Sequence, residues 1–341
     1  MSDKIKIGIS QGDINSISYE VIIKTLMDSR ILEMCTPIIY GSPKVAAYHR
    51  KVLNIENFSL NNISSVDQVH TKRTNIIDCF EEELKVELGK STEIAGKASF
   101  VALEKATDDL KAGVIDALIT GPINKDNIQS EQFSFPGHTD YLREKFEAED
   151  VLMFLISGDL RVGVVVGHVA VKDIPNLITK ESVLKKINII NDTLKQDFGI
   201  RKPKIAVLGL NPHAGDNGLI GKEEIEYITP AIDEARNNGI MALGPFPADG
   251  LFGSGDYKHY DAILAMYHDQ GLAPFKALSF DSGVNYTAGM SVIRTSPAHG
   301  TAYGIAGQNK ASAESFRNAL YMAIDTFRKR KEYKNLIKNS L

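Results

Sequence analysis

The chain has 341 residues, enough for two domains or one large one. With 43% hydrophobic and 24% charged residues, it can bury a core without disulfides or a structural metal. Its formal charge of −4, from 39 basic and 43 acidic residues, lacks the basic excess of a nucleic-acid binder.

Residues 4–10 read as a strand with no signal-peptide core, so a cytoplasmic protein is expected. Residues 18–32 read as a helix, with Ser18 as N-cap and Val21, Ile22, Thr25 and Leu26 on one face. A strand at 37–40 and a helix at 44–53 follow. Cys35 and Cys79 form no CxxC and are expected as buried free thiols in a reducing compartment. An amphipathic helix at 94–111 runs into a strand at 114–120. This alternation implies βαβ units and a largely parallel sheet. Residues 151–156 and 161–167 flank Ser157-Gly158-Asp159 as a hairpin. The longest apolar stretch, 151–171, is broken by Ser157, Asp159, Arg161 and His168, so no run reaches the roughly 18 apolar residues of a membrane span. Next come a helix at 181–198, a strand at 204–210, a helix at 222–238 stopped by Gly239, and a strand at 260–266. A last helix spans 312–329, and the basic cluster Arg328 to Lys331 reads as its solvated end, where cations suit the helix dipole. With no linker or repeat, two domains would interleave in sequence.

Chemistry-capable residues cluster where strands end, the usual ligand position in open α/β sheets. His168, His213 and His268 each follow an apolar strand. Three imidazoles with an open position would suit a transition metal. The alternative is three separate loop histidines bonded to backbone. Lys276, Asn285 and Arg294 would suit an anion, with arginine as a bidentate fork, or else they are ordinary surface charge. His299-Gly300-Thr301-Ala302, followed by Gly307 and Asn309, would let backbone approach a flat ligand, or is only a tight loop. There is no GxGxxG fingerprint.

The segments TGPINK, PGHTD, LNPHAGDNGLIG, FPAD, YHDQGLAPFK, GVNYTAG and IRTSPAHGTAYGIAG occur in this order. Through them the chain resembles the 4-hydroxythreonine-4-phosphate dehydrogenase family of vitamin B6 synthesis, from Gly8 to about Ala319. HGTAYGIAGQNKA also resembles the adenine-binding loop of the isocitrate and isopropylmalate dehydrogenase superfamily. The resemblance implies two α/β/α domains with a cleft between them and not a Rossmann fold. The expected division is 1–130 plus 300–341, and 131–299 with most ligands and a homodimer interface, the active site being shared between subunits. It implies NAD-dependent oxidation and decarboxylation of 4-phosphooxy-L-threonine to 3-amino-2-oxopropyl phosphate. It implies metal ligands His168, His213 and His268, for zinc or else Mg, Mn or Co. It implies substrate contacts His138, Thr139, Lys276, Asn285 and Arg294, and a dinucleotide loop of His299, Gly300, Thr301, Ala302, Gly307 and Asn309. His138 and Lys276 are the expected proton-transfer and anchoring groups. Asp249 is a carboxylate near the metal, or else a turn residue.

The sequence departs from the family in the first loop. Where many members read GDPAGIGPE, this chain has Gly12-Asp13-Ile14-Asn15-Ser16-Ile17-Ser18-Tyr19-Glu20. If that loop needs positive φ at its later glycines, Ser16 and Ser18 would be strained. Other readings are a paralogue acting on threonate or erythronate 4-phosphate, a zinc-dependent hydrolase, and a non-catalytic phosphometabolite sensor. No nucleic-acid or membrane partner is expected.

Overall fold

The computed structural model describes residues 4–339. Its strands are β1 (Ile5–Ser10), β2 (Cys35–Gly41), β3 (Asn61–Ile63), β4 (Asn75–Asp78), β5 (Ala117–Thr120), β6 (Leu152–Ser157), β7 (Leu160–Val166), β8 (Lys204–Leu208), β9 (Met241–Phe246), β10 (Ala262–Tyr267), β11 (Val284–Ala288) and β12 (Arg294–Pro297). They belong to two units. Unit 1 runs to Ala148 and resumes over Met290–Phe327; unit 2 is Glu149–Gly289 with the chain from Arg328 onward.

Unit 1 holds a parallel sheet ordered β3-β4-β2-β1-β5-β12. β2 is buried at every position, as expected for a parallel strand covered on both faces. The helix Glu93–Lys111 packs on β1, β2 and β5 and is N-capped by Thr92, whose Oγ1 accepts from the Ala95 amide. Its Gly96 lies so close to the Asn127 carbonyl that no side chain fits there. Unit 1 extends past residue 130 because the helix His138–Lys145 docks Tyr141 among Phe100, Phe133 and Phe135.

Unit 2 holds a mixed sheet ordered β11-β6-β7-β10-β8-β9. β6 and β7 form the expected hairpin, with Phe154 opposite Gly163, and β7, β10, β8 and β9 run parallel. A β-carbon at Gly163 would meet Ile190 of the helix Lys180–Gln196. Val162 and Val164 instead meet Gly271 of the helix His268–Ser279. Adjacent residues of one strand face opposite ways, so these helices cover opposite faces of the sheet. This is an α/β/α sandwich.

Several elements differ from the sequence reading. The first helix ends at Leu26, and its N-cap is Ile17, not Ser18. Residues 222–238 open with a π-helical segment, Glu224–Ile228, before the α-helix Thr229–Asn237. The last helix is longer, Glu314–Lys338, and passes from unit 1 to unit 2 at Arg328. Arg330 is not a solvated terminal charge. It is 8% exposed and its Nε donates to Asp197 at 2.5 Å. Neither Cys35 nor Cys79 is in a disulfide; Cys35 is buried, and burial pushes the Cys79 thiol up to about 12. Among the described residues, no helix is long and apolar enough to cross a membrane.

Candidate active site

In unit 2 the strands β7, β10 and β8 lie side by side and parallel, so their carboxyl ends share one edge of the sheet. His168 follows the end of β7, and His268 opens the helix after β10. Their ring centroids are 5.4 Å apart, and both line a pocket of about 310 Å³ with Tyr267, Asp269 and Val171. The His268 Nδ1 lies 2.6 Å from Asp269 Oδ1. An ionised carboxylate only accepts, so Nδ1 donates, which in the neutral imidazole leaves the lone pair on Nε2. Gln270 ties this turn to the neighbouring loop. Its Oε1 accepts from the Met266 amide at 2.7 Å and its Nε2 donates to the Gly209 carbonyl at 2.7 Å.

His213 lies beyond β8 in a turn of unusual backbone. His213, Ala214, Gly215, Asp216 and Asn217 all have positive φ, between 43° and 79°, and only one is glycine. A left-handed non-glycine residue costs roughly 1–2 kcal/mol. Such a run persists only where its surroundings fix it. Here they do: Glu224, 3% exposed, accepts from the Leu210 and Asn211 amides, each at 2.7 Å, through Oε1. Its Oε2 accepts from Asn211 Nδ2 at 3.0 Å.

Two imidazoles line one pocket, one with a carboxylate on its other nitrogen, and such donors suit a divalent transition metal; His213 follows the neighbouring strand and does not line that pocket. The structure shows the pair. Among the described residues, no three His, Cys, Asp or Glu side chains are gathered as a ready cluster. Asp249 is exposed in the first turn of the helix Ala248–Ser254 and does not line the pocket.

Unit 1 carries an electropositive group. Arg294, on β12, is 2% exposed, and its Nε and Nη2 donate to Thr120 Oγ1 at 3.1 and 2.6 Å. Burial pushes its guanidinium down to about 9, so an anion beside it is favoured. His138 opens the helix His138–Lys145, and its buried Nε2 has no hydrogen-bond partner. Burial, with Arg294 and Lys125 nearby, holds its pKa well below the usual imidazole range. It is therefore neutral at pH 7 and can offer a lone pair or an N–H. Thr139 follows it, half-buried. In unit 2, Lys276 is exposed in the last turn of its helix, and Asn285 on β11 has a buried Oδ1 without a partner.

The loop from His299 to Asn309 also belongs to unit 1. Ala302, Gly307 and Asn309 have positive φ, and the buried Nε2 of His299 has no partner. Tyr303 anchors the loop: its hydroxyl donates to Asp13 Oδ2 at 2.7 Å, which also accepts from Asn127 Nδ2 at 2.9 Å. Asp13 brings in the altered first loop, where strain at the serines was the concern. The structure corrects this. Only Gly12, at 66°, has positive φ there, and the serines add hydrogen bonds. Ser16 Oγ donates to the Asp13 carbonyl at 2.6 Å and accepts from the Ser18 amide at 3.0 Å. Ser18 Oγ donates to the Gln11 carbonyl at 2.5 Å, and Tyr19, in place of proline, donates to Gln11 Oε1 at 2.7 Å.

His49 closes this cluster. Its ring stacks on Tyr19 at 5.2 Å and its Nε2 donates to the Ile14 carbonyl at 2.7 Å. Burial lowers its pKa from 6.5 to about 4. The unfolded chain then takes up the proton first. Stability should be full above pH 6.5 and fall as pH drops toward 4, by about 2 kcal/mol between pH 7 and 5. Urea unfolding of wild type and H49Q at both pH values checks this. The pH difference should shrink in the variant, and an equal difference would refute the assignment.

Unit 1 holds a buried arginine near a neutral histidine, and unit 2 a histidine pair at its strand ends. The chain is a two-unit α/β oxidoreductase of isocitrate dehydrogenase-like fold. An isocitrate dehydrogenase from Methylococcus capsulatus shares that fold, with a TM-score of 0.53 at 11% identity over 98% of this chain and 89% of that one. The sequence narrows the class. Residues 33–323 match the family of the pyridoxal phosphate biosynthetic protein PdxA, and the chain belongs to that family. A 4-hydroxythreonine-4-phosphate dehydrogenase from Bacteroides thetaiotaomicron is 56% identical over 97% of this chain and 91% of its own. A relative from Oceanobacillus iheyensis, provisionally named a D-threonate 4-phosphate dehydrogenase, is 38% identical over 95% and 98%. The crystal structure of a 4-hydroxythreonine-4-phosphate dehydrogenase from Klebsiella pneumoniae has a TM-score of 0.82 at 31% identity over 96% and 98%.

Sequence reading missed Glu224, Gln270, Asp269 and Asp13 as supporting groups. Asp269 and Gln270 stood in YHDQG beside His268. Glu224 stood in what read as an ordinary helix, and no local signal marked it.

Proposed function

We propose that this enzyme oxidises and decarboxylates 4-phosphooxy-L-threonine with NAD⁺, giving 3-amino-2-oxopropyl phosphate, CO2 and NADH. The observation that carries this is the pairing of His168 and His268, 5.4 Å apart, at the strand ends of a family member. Arg294 binds an anionic substrate group as a fork, with Lys276 as a second, flexible charge. Asn285 and Thr139 orient the polar substrate. His138, neutral, hydrogen-bonds the substrate or moves a proton. His299 to Asn309 would hold the dinucleotide, which would supply the hydride acceptor, and the free lone pair of neutral His138 would take the hydroxyl proton. His168 and His268, with His213 as the third donor, would hold a divalent ion, which would supply Lewis acidity to the site. Imidazole ligands favour zinc over Mg, Mn or Co. Asp249 enters only as an outlying carboxylate.

The reading includes a homodimer, in which exposed apolar residues of unit 2 such as Val171 (79%), Leu219 (81%) and Phe280 (76%) would be candidates for cover. Thiols outside any disulfide support a cytoplasmic setting. The test is NADH formation by zinc-replete protein with 4-phosphooxy-L-threonine. Absorbance at the NADH band should rise and chelation should abolish it. No NADH above background refutes the proposal. D-Threonate 4-phosphate, which lacks the amine, is the second substrate to assay, since a relative bears that name. A clear preference for it would reassign the substrate.

A further inference from the structure

We infer that Glu224 is a positioning residue that holds the His213 turn in its left-handed backbone, so that metal affinity depends on a carboxylate that touches no metal. This rests on the reading of His213 as a ligand. Three observations converge on it. First, the turn is a run of five positive-φ residues, a conformation that four of them do not favour on their own. Backbone bonds at its two ends, Ala214 N to the Asn211 carbonyl and Ile220 N to the Gly215 carbonyl, each at 3.1 Å, close the turn but leave its entry to be held from outside.

Second, the Glu224 carboxylate is spent on the entry to this turn. Oε1 takes the amides of Leu210 and Asn211, and Oε2 takes the Asn211 side chain. Glu223 Oε2 accepts from the same Asn211 amide nitrogen at 2.8 Å. The glycines of the turn fit around this group. A β-carbon at Gly215 would stand 2.5 Å from Glu224 Oε2, and one at Gly221 would collide with the Asn211 amide. Third, Glu224 opens a π-helical segment, Glu224–Ile228, inside an otherwise α-helical stretch. A single π-turn inserts one extra residue and re-aims a side chain, and such turns recur at functional sites. Sequence position alone, at the start of the helical stretch 222–238, does not explain a glutamate that is 3% exposed.

The test is Co²⁺ titration of the full-length apoprotein, read by the visible absorption of the bound ion and by competition with a chelator. H213A is run beside E224A, E224Q and E224D, with thermal melts of each. E224A should bind Co²⁺ roughly 10–100-fold more weakly and with a changed spectrum, as loss of a group supporting a ligand does. E224Q keeps an acceptor for both backbone amides and should recover most of the affinity. E224D, a methylene shorter, should lose at least about fivefold, and carries the test if E224A does not fold. E224A, or E224D in its place, binding Co²⁺ like wild type overturns the inference while H213A still loses the ion. H213A binding like wild type would instead overturn the metal assignment.

Discussion

Replacing Arg294 with methionine is expected to lower kcat/KM for the phosphorylated substrate by about 10²–10³-fold. Truncating one member of a buried, hydrogen-bonded charge pair costs roughly 2–5 kcal/mol, and each 1.4 kcal/mol is tenfold. Arg294 meets the conditions for such an effect. It is 2% exposed, two of its nitrogens are oriented by Thr120, and its guanidinium is pushed down to about 9 by burial. A bound anion restores the solvation that the charge lost, so the interaction is strongest when the substrate is present. R294K keeps the charge and should recover only a small part, because an ammonium cannot present the fork. Steady-state kinetics of both variants, alongside thermal melts, separate this from misfolding. R294M with wild-type kcat/KM would remove Arg294 from the substrate site.

The second large effect is on stability. Asp197, Arg330 and Tyr286 form a buried triad in unit 2. Arg330 Nε donates to Asp197 Oδ1 at 2.5 Å, and Tyr286 donates to Asp197 Oδ2 at 2.6 Å. Arg330 Nη2 donates to the Tyr286 oxygen at 3.1 Å. Burial and the adjacent carboxylate hold the phenol well above its usual range, so it stays a donor. D197A leaves a buried guanidinium without its carboxylate and should destabilise unit 2 by about 3–5 kcal/mol. The exposed neighbour variant K331A should change stability by no more than about 0.5 kcal/mol. The chain has no tryptophan, so urea unfolding is followed by far-ultraviolet circular dichroism. Replacing all three by apolar residues of similar volume should cost much less than D197A alone, because no charge is stranded. A midpoint for D197A equal to wild type would show that the triad contributes nothing.

Arg330 also shows where sequence reading stopped. In a run of basic residues at a helix end it looked like a solvated charge. Its burial depends on Asp197, 133 residues earlier in the chain. The first loop makes the same point in reverse. Two serines in place of glycines looked strained, because backbone angles are not written in composition. The fold gives both serines ordinary φ and buried partners instead. The hairpin of β6 and β7, and the strands ahead of His168 and His268, were legible because alternation and apolar runs are local signals. β3, β4, β9, β11 and β12 were not. They are three to six residues long and carry little periodicity of their own.

By itself the sequence determined the alternation of strands and helices, and it determined the motifs that mark the family. Both are properties of neighbouring residues: side-chain period sets the element, and residue type sets the available chemistry. Which strands are neighbours, and so that the histidines following β7 and β10 line one pocket of unit 2, is settled only by packing. It also brought Glu224, on a π-turn, against the amides of Leu210 and Asn211 at the entry to the His213 turn. Hydrogen bonds and burial between distant segments exist only once those segments pack. Chain length, composition and a net charge of −4 are sums over residues and do not record placement. The single buried charge of Arg294 is invisible in that total.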